Sequence, residues 1–190
     1  MDPLSALGAA GSVVGVASFG LQLSQVLYQF TSQALSAKES LHSLLGGIHA
    51  TTCALNQVHG ILADECENLE RKGRAVFFSP KAIDEVKSTA DKCLLIFWRI
   101  EATITSKSGS KLEEELIKRL NTFNQQLSTK KSPDPIPVDT TLISMTTWGR
   151  LRWPYIAPKL DIYTSQLQLL QMNLVLMFSV ISLHAHRMRP

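Results

Sequence analysis

The side chains of this chain that could do chemistry are few, and their spacing does not assemble them. His42, His49 and Cys53 recur at i, i+7 and i+11, which puts them on one stripe of a helix. Three such groups could hold zinc, but a structural zinc site takes four ligands. No fourth is evident, and Cys66 falls on another face, so the three read as ordinary boundary residues. His184 and His186 sit on neighbouring faces near the chain's end and read as solvent-exposed. Ser108-x-x-Lys111 and Ser128-x-x-Lys131 match a nucleophile pattern by chance, in loops and without its companion motifs. There is no G-x-S-x-G and no phosphate-binding G-x-x-x-x-G-K-[ST]. No two carboxylates share an apolar setting that would drive their pKa values apart. Glu113, Glu114 and Glu115 read instead as a helix start, where the dipole favours negative charge. The expectation is a protein that is not an enzyme, with no catalytic residue, metal or cofactor.

The opening Gly8-Ala9-Ala10-Gly11-Ser12-Val13-Val14-Gly15 has the outline of a dinucleotide loop. That loop needs a preceding strand and an acidic residue about 20 positions on. Only seven residues precede this segment, and the next acid is Glu39. Small residues at this spacing have another use, which is to let helices approach closely. Gly11 and Gly15 form G-x-x-x-G, extended by Gly8 and Gly20, with Phe19 in the same run. Each glycine weakens a helix by about 1 kcal/mol relative to alanine, so several together need a compensating contact. Two readings follow: close packing against the last helix, or a segment that leaves the bundle to self-associate or enter a membrane.

Helical periodicity dominates the chain, and strand signals are nearly absent. The first helix is expected from Pro3 to about Ser32 or Ser36, and the second from near Lys38 to Lys72, with Leu41, Leu44, Ile48, Leu55 and Leu62 on one face. Ser79 and Pro80 supply the N-cap and first position of a third helix. Its stripe is Ile83, Val86, Ala90, Cys93, Phe97, Ile100 and Ile104. Ser110 and Glu113 resemble a capping box for a fourth helix buried through Leu112, Leu116, Leu120, Phe123 and Leu127. Residues 128–139, with Pro133, Pro135 and Pro137, form a proline-rich internal loop. A fifth piece is expected over Thr140 to Arg152, then a sharp break at Trp153 and Pro154, then a long closing helix. Residues 167–183 carry no charge and are apolar on most sides, which suits the centre of a bundle or lipid. The expected fold is all-α, a single helical bundle of about five to six helices over residues 1–190, with the long C-terminal helix packed against the N-terminal one.

Hydrophobic residues make up 45% of the 190 and charged ones 18%, enough apolar material for one core. The net charge is +3, without the dense basic stripe or aromatic ladder of a nucleic-acid binder. From residue 140 on, Arg150, Arg152, Lys159, Arg187 and Arg189 face Asp161 alone, a basic edge that could meet an anionic membrane surface or an acidic partner. Three cysteines without C-x-x-C argue for a reducing, cytoplasmic setting. Residues 3–37 are uncharged, but no basic stretch opens them as in a signal peptide, and Ser, Gln and Gly dilute them as a membrane span. Asp2 excludes N-myristoylation.

The opening MDPLSALGAAGSVVGVASFGLQLSQVLYQF resembles a fungal domain found ahead of STAND (NLR-like) and ankyrin-repeat proteins, also named for the azaphilone pigment cluster protein L. LRWPYIAPKLDIYTSQLQLLQMNLVLMFSVI, residues 151–181, looks like the same family, in which a Trp-Pro break leads into a Leu-rich closing helix. The resemblance implies a HeLo-like bundle acting in signalling, with Gly8, Gly11, Gly15 and Gly20 standing for a membrane-active segment and Trp153 and Pro154 for the break. No NACHT ATPase and no repeats lie within these residues, so full effector, regulator and remnant all stay open. The expected function is a non-catalytic signalling or interaction module, cytoplasmic, with membrane association through the Gly-rich N-terminal helix left open. Its partner would be a protein, a second copy or an anionic membrane surface, and not nucleic acid. The alternative is a soluble adaptor accessory to a fungal pigment gene cluster.

Overall fold

Apolar residues three and four apart drive each helix to bury one face, and the computed structural model is all-helical over the residues it describes: 3–33, 38–72, 79–104, 112–128 and 147–187. The helices are α1 (Pro3–Gln33), α2 (Lys38–Lys72), α3 (Pro80–Ile104), α4 (Leu112–Ser128) and α5 (Thr147–Arg187). The start of α3 follows from its cap. Ala82 N–H donates to the Ser79 hydroxyl at 3.2 Å, and Ile83 N–H donates to the Ser79 carbonyl at 3.2 Å. Ser110 and residues 129–146, and with them the expected capping box, most of the proline-rich loop and the start of the fifth piece, lie outside the described residues.

Four helices form the body. α1 packs on α2 and α3, and α5 packs on the other sides of the same two. α1 and α5 thus occupy opposite corners, and α4 lies across the outside of α1 and α3. This corrects the expected packing of the closing helix against the first, since no contact joins α1 to α5 among the described residues. The physical reason is that α2 and α3 each carry enough apolar surface to face two neighbours. On α2, Leu41, Leu44, Ile48, Leu55 and Leu62 are all fully buried, and so are Ile83, Val86, Ala90, Cys93, Phe97 and Ile100 on α3. One buried cluster draws on all five helices, with Phe19 of α1 against Phe97 and Trp98 of α3 at ring distances of 6.5 and 6.4 Å.

The second correction concerns Trp153 and Pro154. α5 runs without interruption from Thr147 to Arg187, with Pro154 and Pro158 inside it. An interior proline costs a helix about 3 kcal/mol, partly through the donor it lacks. Both rings are exposed, so water can satisfy the freed carbonyls. The turns that follow are held by Leu160, Leu167 and Leu174, all fully buried, and packing overrides the local rule.

Candidate functional site

Two of the glycines of α1, Gly15 and Gly20, face neighbouring helices. A Cβ at Gly15 would lie 2.8 Å from Cζ of Phe123, so this glycine makes the notch in which α4 rests. At Gly20 a Cβ would collide with the Thr52 hydroxyl of α2 and come within 2.9 Å of Phe97 of α3. Gly11 is half-buried, Phe19 is fully buried, and Gly8 has nothing within 4 Å of its missing Cβ. The close approaches are to α2, α3 and α4, not to the last helix.

The chemical candidates stay apart or stay at the surface. Cys53 and His49 are exposed, with Sγ and Nδ1 3.8 Å apart, and His42 is exposed farther along α2. Among the described residues no three His, Cys, Asp or Glu side chains gather to hold a metal. Cys93 is enclosed, and burial pushes its thiol up to about 12, which makes it an inert core residue. Ser108, Lys111 and Lys131 lie outside the described residues, as do the side chains of Ser128, Trp153, His184 and His186.

Polar residues tie α4 to α3. Arg119 sits 3.4 Å from the Glu101 carboxylate and 5.0 Å above the Trp98 ring. Asn124 donates to Asp91 at 3.3 Å. Burial raises the Asp91 pKa, while that hydrogen bond and Lys87 pull it back.

The uncovered feature is on α5. Residues two apart on a helix point about 200° apart, and α5 uses this to build two apolar lines on opposite sides. Leu160, Leu167 and Leu174 form the inner line, fully buried against α2 and α3. Near them Leu167 and Thr164 approach within 4.0 Å of the Cβ that Gly47 of α2 lacks. Tyr155, Ile162, Leu169, Leu176 and Leu183 form the outer line, at seven-residue spacing and between 56% and 79% exposed. Met172 and Val180 widen it, at 62% and 67% exposed. At roughly 100 Å² per large apolar side chain, the five of the outer line alone leave on the order of 500 Å² open, the size of the largest patches on monomeric proteins and often a functional one. A groove of about 300 Å³ runs beside it between α3 and α5, lined by Leu95, Ile96, Leu169 and Leu170, with Lys92 and Arg99 at its edge.

These outer residues are absent from the sequence-level candidates. Their signal was present in the spacing 155, 162, 169, 176, 183. Apolar residues on most sides suit the bundle centre or lipid alike, whereas in the structure one face of α5 is buried and the other is open. Comparison with family models, with curated proteins and with solved structures finds no match for this chain.

Proposed function

We propose that the chain is a non-catalytic helical interaction module that binds a protein partner through the outer face of α5. The observation that carries this is the heptad line of large apolar side chains, more than half exposed, on a helix whose opposite face is fully buried. Knobs-into-holes packing against a partner helix uses two apolar positions in every seven, and the outer line supplies one of them in each heptad, with Met172 adding the second once. A lipid surface fits less well, because helices that lie in membranes carry Lys and Arg beside the apolar face. The flanks on α5 are Gln166, Gln168 and Asn173 with Lys159 offset by Asp161, and the basic groups near the face are Lys92 and Arg99 of α3, on the groove at Leu169. The reading keeps the interaction role implied by the resemblance and moves its site from α1 to α5.

A direct test introduces Leu169→Glu and Leu176→Glu together and measures melting temperature, far-UV circular dichroism and binding of a hydrophobic dye. The variant should fold as the parent does and lose the dye site or the association that covers it. Collapse of the fold would show that the face belongs to the core, and the reading would fail.

A second reading retains one observation in its favour. Gly8–Tyr28 is long and apolar enough to cross a membrane, although 56% of the window is buried. Its release would expose Val13, Val16, Phe19, Leu23 and Leu27, at about 1.5–3 kcal/mol each, so it requires a trigger. Flotation of the unmodified chain with anionic vesicles, with and without mild acid, distinguishes this from the α5 reading.

A further inference from the structure

We infer that the occupant of the α5 outer face is a second copy of this chain, α5 against α5, an inference that rests on the reading of that face as a binding surface. In a two-helix seam the apolar line supplies the knobs, and the flanking positions choose the partner by charge. With Tyr155, Ile162, Leu169, Leu176 and Leu183 as the central line, one flank holds Lys159, Gln166, Asn173 and Val180. The other holds Asp161, Gln168, Val175 and Ser182. Each flank therefore carries one charge in four positions, and the two charges are opposite. On α5 itself such flanks select neither an acidic nor a basic partner, and Lys92 and Arg99 of α3 border the face only at the groove beside Leu169. Carboxamides both donate and accept, so Gln and Asn rows are matched by copies of themselves.

Area points the same way. Two such faces would bury about 1,000 Å² of apolar surface, and their polar flanks would bring the total into the range of a specific interface. A face shared by both subunits around a two-fold axis is the commonest arrangement in soluble oligomers. The seam is also incomplete in an informative way. The alternate positions of the repeat are Pro158, Ser165, Met172 and Ser179, so only Met172 adds a large apolar group there. The expected dimer is reversible and concentration-dependent rather than obligate.

Sedimentation velocity on the full chain over a wide concentration range tests this. The parent should pass from monomer to dimer, Leu169→Glu with Leu176→Glu should weaken dimerisation by more than about a hundredfold, and Ser165→Leu should tighten it by filling a vacant knob position. A parent and a Ser165→Leu variant that both remain monomeric would overturn the self-pairing. If that monomer still binds hydrophobic dye and loses it on Leu169→Glu, the face remains a binding surface for a different molecule. If no dye binds, both readings fall together. Flotation of the monomer with phospholipid vesicles, lost in the same variant, would replace the second copy with lipid.

Discussion

Gly20 and Gly60 are one residue type with opposite consequences. A methyl group at Gly20 has no room, because the buried Phe97 ring and the Thr52 hydroxyl already fill the site. Gly20→Ala should destabilise the fold by about 1–3 kcal/mol. Gly60, exposed inside α2, has nothing within 4 Å, so Gly60→Ala should stabilise by about 0.5–1 kcal/mol. Urea titration of the two variants reads both signs. Cys93 carries a pH dependence of its own. Unfolded, its thiol begins to ionise near 9.0; folded, it holds its proton to about 12. The stabilisation is thus whole below pH 9.0 and is lost as pH rises between those values. Relative to Cys93→Val, the parent's urea midpoint should hold below pH 9.0 and fall as pH rises above it, and a thiol reagent should modify Cys53 in the native protein but Cys93 only after unfolding. At this scale the sequence was informative about core residues: the Cys93 stripe and the Ser79 cap are read directly from spacing. It was silent on which glycine meets which neighbour, because a glycine's purpose is fixed by another helix.

At the scale of elements, periodicity located α2 and α3 closely and missed the continuity of α5. The proline rule is local, whereas the register of Leu160, Leu167 and Leu174 against α2 and α3 is not. If packing carries α5 through Pro154, then restoring a backbone donor there should help. Pro154→Ala should raise stability, by up to about 3 kcal/mol, and leave the bundle's helicity intact. A loss of stability on thermal unfolding would show that the proline serves a shape the helix needs. Joining of α4 to α3 through Arg119, Glu101 and Trp98 was equally illegible, since residues far apart in sequence meet only after two helices have docked.

Over the whole molecule, the all-helical class was plain from composition and spacing, but the arrangement of the helices was not. Two uncharged helices at the ends of the chain invited a direct pairing. The fold instead interposes α2 and α3, which buries one side of α1 between Ala9 and Leu27 and leaves one side of α5 apolar and open. That open side is the central claim, and adjacent odd-numbered residues of α5 test it in one comparison. Leu167 is fully buried and Leu169 is 62% exposed. The deciding measurement is the unfolding free energy of Leu167→Ala beside that of Leu169→Ala, at a protein concentration low enough to keep the chain monomeric. Leu167→Ala should lose about 2–5 kcal/mol and Leu169→Ala less than about 0.5 kcal/mol. Equal, large losses at both positions would contradict the account, because they would place the outer face inside the core.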